Sequence, residues 1–420
     1  MKHRTFALAV LLALSFAAGG LFADWPGFLG PHRTGVSPDE TKLARSWPKD
    51  GPRQLWARKM QTGFGGAAIV NGRVYVMDRQ PQKQDVLLCL DLETGEKKWE
   101  YRYDAPGKLR WKGSRATPSV DANNVYTVGP FGQVHAISRE THKSVWSLNL
   151  AKDFDGKVPM WAYASSPLLL GELVVLAPQT PTVGLVAVRR DSGKVVWKSA
   201  SIGEAGHSSP MLMTLDGVEQ IVMLARKQLV GMDPNTGKVL WRFKDFTSRR
   251  PIPQPAKVGQ RELFFTSGYG MGGVVLRVTR DDAGRWAVSE AARNKSISSH
   301  IATPIAHDGH IYLPGNSRNI DEGLLCVTPA TEVLWKTDRR PSFGFGSQLL
   351  ADGLLVIADA QKRDLVLVDP NPKEYRELAR ADILTGRNPW GPLAIDNGRL
   401  IVRDSEKLLC LDLRANKETD

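Results

Sequence analysis

The chain has 420 residues, of which 42% are hydrophobic and 24% charged, proportions that exclude a disordered or fibrous chain and suit a large buried core. Its formal charge is +12 without any run of five or more basic residues, so the charge is spread over the surface and argues against a nucleic-acid-binding arm. Three cysteines, Cys89, Cys326 and Cys410, sit at matching places in apolar stretches, which reads as small buried hydrophobes rather than disulfide partners.

In chain order, residues 1–23 read as a cleavable signal peptide. Lys2, His3 and Arg4 start it, Phe6 to Ala18 form an apolar run, and Leu21-Phe22-Ala23 offers the cleavage site. The run is shorter than the about 20 residues a membrane span needs, and no cysteine near it would carry a lipid. The expected location is therefore periplasmic or secreted. Removing Lys2 and Arg4 leaves +10, a surface suited to anionic head groups, wall polymers or acidic proteins. Residues 24–50 show neither helix nor strand period. They read as an extended arm laid across the fold through Trp25, Phe28 and Trp47.

From residue 51 a pattern sets in. Gln54-Leu55-Trp56-Ala57-Arg58 resembles a strand that returns throughout the chain, always ending in an aromatic residue. Its fullest form is LDLETGEKKW, Leu90 to Trp99, a strand, a tight Thr-Gly turn and a second strand. Copies follow as ISRETHKSVW, VRRDSGKVVW and MDPNTGKVLW, then degraded as RVTRDDAGRW and CVTPATEVLW. Trp99, Trp146, Trp197, Trp241, Trp286, Trp335 and Tyr375 are 47, 51, 44, 45, 49 and 40 residues apart. Repeats of that length built from strands mark a propeller with four strands per blade. Small-residue cues (ATPSV, SSPLLL, SSPMLM, ATPIA) open a first strand in several blades, and Asn-Gly or Asp-Gly hairpins lead into the second. Burying one Trp removes roughly 150–250 Å² from water, worth about 4–6 kcal/mol as an upper figure. The Trp residues, Trp56 among them, are thus expected to be structural docking groups.

The first repeat has a Trp-bearing strand too many and the last has one too few. Residues 51–60 are expected to complete the last blade and close the ring. The fold class is then all-β, an eight-bladed propeller over residues 51–413 with four-stranded antiparallel blades, followed by a tail at 414–420.

The Thr-Gly-x-x-x-Trp hairpin at this period resembles the repeat of the pyrroloquinoline-quinone (PQQ)-like propellers, and the opening DWPGFLGPHRTGVS resembles the start of many exported members. The resemblance implies that each Trp docks between neighbouring blades. It also implies one of two roles, quinoprotein dehydrogenase or non-enzymatic scaffold of the outer-membrane assembly kind. A quinoprotein would bring a disulfide of adjacent cysteines, a Trp beneath the quinone, and calcium held by Glu, Asn and Asp. This chain has no adjacent cysteines, no haem-attachment motif, and few acids ahead of its first strands, where such ligands collect.

Other motifs carry little. Gly268-Tyr269-Gly270 lacks the following helix of a phosphate loop and reads as a strand-linking turn. The eight histidines show no metal-ligand spacing, and no metal site is expected. One constellation remains. The segments leading into successive blades should gather at one mouth of the central channel. They contribute Trp111, Lys112, Arg115, Trp161, Tyr163, His207, Arg249, Arg250, His300, Phe343 and Trp390. Aromatic and basic groups alternating almost without acids suit a planar or anionic ligand held by stacking and cation–π contacts. They equally suit a plug that packs on the arm.

The sequence therefore favours an exported, monomeric, non-catalytic scaffold without catalytic residues or cofactor, binding an envelope protein or an anionic, planar ligand and no nucleic acid. PQQ with calcium in an atypical quinoprotein oxidoreductase, and a cell-wall or carbohydrate binder, are the alternatives.

Overall fold

In a computed structural model, which describes residues 24–40, 42–317 and 320–415, eight antiparallel sheets follow one another along the chain. The expected signal peptide and most of the expected tail lie outside the described residues. Blades 1 to 7 span 67–107, 119–149, 168–200, 211–243, 256–294, 305–336 and 347–382, and each has its strands in sequence order across the sheet. Blade 8 takes three strands from 394–412 and its fourth from Arg53–Lys59, antiparallel to Lys407–Asp412 with Trp56 opposite Cys410. A strand near the start thus finishes the last blade and shuts the ring. Among the described residues the only helix is the short 3-10 turn Lys152–Phe154, and no helix is long and apolar enough to cross a membrane.

The repeated indole has a specific seat. Within its own sheet it faces a small residue: Cys89 opposes Trp99, Ala136 Trp146, Ala187 Trp197, Gly231 Trp241, Cys326 Trp335 and Cys410 Trp56. This is why the three buried, free thiols recur at one repeat position. Across the blade boundary, Trp56 donates its indole N–H to the Leu92 carbonyl (2.8 Å), Trp146 to Arg190 (2.8 Å) and Trp335 to Asn371 (2.9 Å). The glycine of the next turn lies under the ring: a Cβ on Gly95 would stand 2.6 Å from Trp56, and one on Gly237 2.4 Å from Trp197. Both glycines also hold φ near +69°, a region that L side chains rarely adopt. In blade 2 the glycine is replaced by His142, at φ 59°, and its ring stacks on Trp99 with centroids 4.7 Å apart.

Three indoles behave differently: the buried Trp197 covers Gly237 but its N–H meets no acceptor among the described residues. Trp241 turns its N–H back to the Gln220 side chain of its own blade (2.6 Å). Trp286 is half-buried, lies against the core shared by blades 4 and 5, and has the Arg280 guanidinium 5.8 Å from its ring centre. In the blades that follow Trp241 and Trp286 the turns Asp281-Asp282-Ala283-Gly284 and Pro329-Ala330-Thr331 are degraded copies of the Thr-Gly turn.

A second tie runs around the channel. The backbone N–H of Gly66 donates to Thr117 Oγ1 (3.1 Å), that of Thr117 to Ser166 Oγ (2.9 Å), and that of Ser166 to Ser209 Oγ (2.9 Å). Ser209 N–H continues to Gln254 Oε1 (3.1 Å), and Gln254 N–H to Thr303 Oγ1 (3.2 Å). Gln348 Nε2 then reaches the Thr303 carbonyl (3.0 Å), and Ser347 Oγ the Gly391 carbonyl (2.8 Å). The small-residue cue before each first strand is therefore also a hydrogen-bonding joint between blades. It satisfies backbone donors that the innermost strand would otherwise bury unpaired.

The arm occupies the channel. Trp25 exchanges backbone hydrogen bonds with Ile69 of blade 1 (2.8 Å each), and the Pro26 carbonyl accepts from Val120 of blade 2. Arg33 reaches the carbonyls of Pro167 (2.6 Å) and Ser166 (3.1 Å) in blade 3. Val36–Ser37 pairs in parallel with Ser347–Ala351 as a fifth, innermost strand of blade 7. Trp47 packs instead on the core cluster that joins blades 7, 8 and 1.

Past the channel the arm is fastened by Glu40, whose Oε2 accepts the Gly398 N–H (2.8 Å). Beside it Asp396 is fully buried with neither carboxyl oxygen partnered. Burial, then the charges of Glu40 and Asp24, push Asp396 up to about 7, with Arg399 acting the other way and Glu93 adding to the rise. Glu40 is raised as well, chiefly by burial. A carboxyl raised in the folded state favours folding most when protonated. Stability should therefore fall as pH rises from the usual carboxylate range to about 7, then level off. Thermal melts of the wild type across that window should show the fall, and Asp396→Asn should flatten it. Trp197→Ala, which empties the seat over Gly237, should lower stability by about 3–5 kcal/mol in a denaturant titration.

Candidate functional site

A cavity of about 450 Å³ opens at the mouth of the channel, with Phe28 and Leu29 of the arm among its lining. Its wall is a nearly continuous collar of rings. Trp111 meets Trp390 (centroids 5.6 Å apart), which stacks on Phe64 (5.4 Å) and touches Phe345 edge-on (5.8 Å). Phe345 adjoins His300 (4.9 Å), and His300 adjoins Tyr269 (4.7 Å). Arg250 closes the next gap, its guanidinium 5.4 Å from the Tyr269 ring centre and 4.1 Å from that of Trp161. Arg110 covers Trp161 at 4.8 Å. Successive blades deliver these groups because each lead-in segment must cross the mouth to reach its innermost strand; Tyr269 comes instead from the hairpin between Glu262–Ser267 and Gly272–Arg280 of blade 5.

The electrostatics are one-sided. Arg115 and Arg250 line the cavity, and none of the lining residues is Asp or Glu. Arg115 donates to the carbonyls of Trp111 (2.7 Å) and Gly113 (2.8 Å), and burial, then the nearby Arg79 charge, lower it to about 10. His207 is held down at about 4 by burial first, then by Arg115 and, more weakly, Arg250. His300 is likewise lowered to about 4 by burial and then Arg250. Both imidazoles are thus neutral at pH 7, and the cationic character belongs to the guanidiniums.

Of the residues singled out from sequence, the cavity brings together Trp111, Arg115, Trp161, His207, Arg250, His300 and Trp390. Four others lie elsewhere. Tyr163 is buried in the core of blades 2 and 3, and Phe343 in that of blades 6 and 7, where Arg380 covers its ring at 5.9 Å. Lys112 and Arg249 point to solvent beside lining neighbours. Sequence reasoning passed over Tyr269, which it placed in a mere turn, and the arm residues Phe28 and Leu29 as part of the lining. An aromatic between two glycines was the available signal for Tyr269.

The quinone and calcium of the dehydrogenases would need a different set of donors from those at the mouth. Calcium wants several carboxylate or carbonyl oxygens, and the lining offers no carboxylate. Among the described residues no group of three or more His, Cys, Asp or Glu side chains is placed to hold a metal. Cys89, Cys326 and Cys410 are buried in blades 1, 6 and 8. The donor set does not fit that cofactor.

Ring, repeat and docked indoles make this a PQQ-like β-propeller. The chain belongs to the family described as outer membrane protein assembly factor BamB, whose profile matches residues 101–337. It is 24% identical over 180 residues to the quinoprotein alcohol dehydrogenase PedH of Pseudomonas putida, a match covering 41% of this chain and 29% of that relative. The chain thus spans less than a third of the curated relative's length. Among solved structures it resembles a quinohemoprotein alcohol dehydrogenase from Comamonas testosteroni (TM-score 0.64, 14% identity, 95% of this chain and 82% of that one). It also resembles BamB from Moraxella catarrhalis (TM-score 0.60, 15% identity, 88% and 99%). At such identities the likeness concerns the fold.

Proposed function

We infer that this propeller is a non-catalytic binding scaffold, exported to the cell envelope, with the channel mouth as its ligand site. The observation that carries the reading is the collar itself, two guanidiniums among stacked rings in a cavity lined by no carboxylate. Such a surface attracts a negative charge attached to an apolar body through cation–π framing and charge-assisted hydrogen bonds. It contains no base positioned by a second group and no activated nucleophile. The only titratable groups at hand beside Tyr269 and the arginines are two imidazoles lowered to about 4 by burial, a poor match for proton transfer near pH 7. Membership in the assembly-factor family supports a protein partner, and the basic signal-like start supports export.

Similarity to PedH favours a second reading, a quinoprotein oxidoreductase. The donor set weighs against it. Purified protein incubated with PQQ and calcium should neither retain quinone absorbance in stoichiometric amount after gel filtration nor oxidise alcohols with an artificial dye. Stoichiometric quinone with dye-linked oxidation would replace the scaffold reading.

A further inference from the structure

If the mouth is the binding site, its chemistry also narrows what enters. Arg250 is held by rings alone, and among the described residues its guanidinium donates to no carboxylate or carbonyl. Arg115, in contrast, has its terminal nitrogens engaged by two carbonyls. Of the two arginines lining the cavity, Arg250 alone therefore has uncommitted donors, framed by indole and phenol, where a carboxylate can be received in the two-pronged geometry that guanidinium favours.

The apolar surface does not stop at the cavity. Trp111 remains 43% exposed, and on the neighbouring loop Val158 is 40% and Met160 80% exposed. Single exposed apolar residues are ordinary, but these extend the collar outward as a lip, and Met160 directly precedes the lining residue Trp161. Loops 107–115 and 156–162, which form the lip, carry Lys108, Arg110, Lys112, Arg115 and Lys157 and no acidic residue. A small planar acid confined to about 450 Å³ would leave the lip in water. A polypeptide covers both.

We propose that the mouth receives a segment of a partner protein in which an Asp or Glu stands beside an aromatic or long aliphatic residue. The carboxylate pairs with Arg250 inside, and the apolar neighbour lies on Trp111 and Met160 at the rim. The basic loops draw acidic segments from a distance, so association weakens as salt rises.

The test is selection of short random peptides displayed on phage against the full chain, followed by titration of the selected peptides and of phenylacetate by tryptophan fluorescence. Selected peptides should share the acidic–apolar pair. Changing their acid to its amide, or Arg250→Leu in the protein, should weaken binding about tenfold or more. Met160→Ser should weaken it about threefold. Arg250→Leu should melt with the wild type, and Arg250→Lys, which keeps the charge without the fork, should fall between the two. Selected peptides without acids, amide versions that bind equally, or full binding by Arg250→Leu would overturn the proposal. Phenylacetate binding with no peptide selected would overturn the peptide and leave the mouth a ligand site. Failure of both probes would remove the site as well.

Discussion

The fold rests on one contact made again and again: an indole at the end of a blade laid over the turn of the next, with the N–H of Trp56, Trp146 and Trp335 given to a backbone carbonyl there. A four-stranded sheet has two faces, and a blade alone would leave both in water. The indole covers the boundary, the small residue opposite it in the sheet lets the ring lie flat, and the glycine beyond leaves room for it. Around the channel the hydroxyls of Thr117, Ser166, Ser209 and Thr303 perform the polar counterpart, each receiving the backbone N–H of the preceding blade. Apolar docking at one radius and hydrogen bonding at another hold each blade at two points. Its tilt relative to its neighbours is thereby set, and with it the diameter of the mouth.

The ring, its eightfold repeat and its closure were legible in the sequence because they follow from spacing. A Trp every forty to fifty residues has few structural explanations, and a spare strand at one end with a missing one at the other has fewer. Docking of each indole was less legible. It depends on the acceptor as much as on the donor, and the turns after Trp241 and Trp286 no longer offer the Thr-Gly seat. Tyr163 and Phe343 show a second limit. An aromatic in a lead-in segment can point into the channel mouth or into the blade, and no periodicity distinguishes the two in so short a stretch. The serine and threonine joints were visible as letters before each Pro, but their partners lie some fifty residues away, beyond any local pattern.

The arm links fold to site. Because it threads the channel and binds blades 1, 2, 3 and 7, it turns an open pore into a closed cup with Phe28 and Leu29 in its lining. The cup is aromatic because the lead-in segments of several blades each place a ring at the mouth. It is cationic because Arg115 and Arg250 face it without acids. A half-buried guanidinium such as Arg250 loses part of its water, and the rings that frame it supply part of what that water would have given. Part of its hydrogen-bonding capacity is left uncommitted. The residues proposed to bind are thus also residues that shape the mouth.

Hydrogen exchange of the backbone amides in Arg53–Lys59 probes this account most directly, since the closing strand ties the two ends of the ring. Its amides should be protected to the same degree as those of Lys407–Asp412 and open together with them. Exchange within seconds along Arg53–Lys59, while the blades stay protected, would mean that the ring is not closed by that strand.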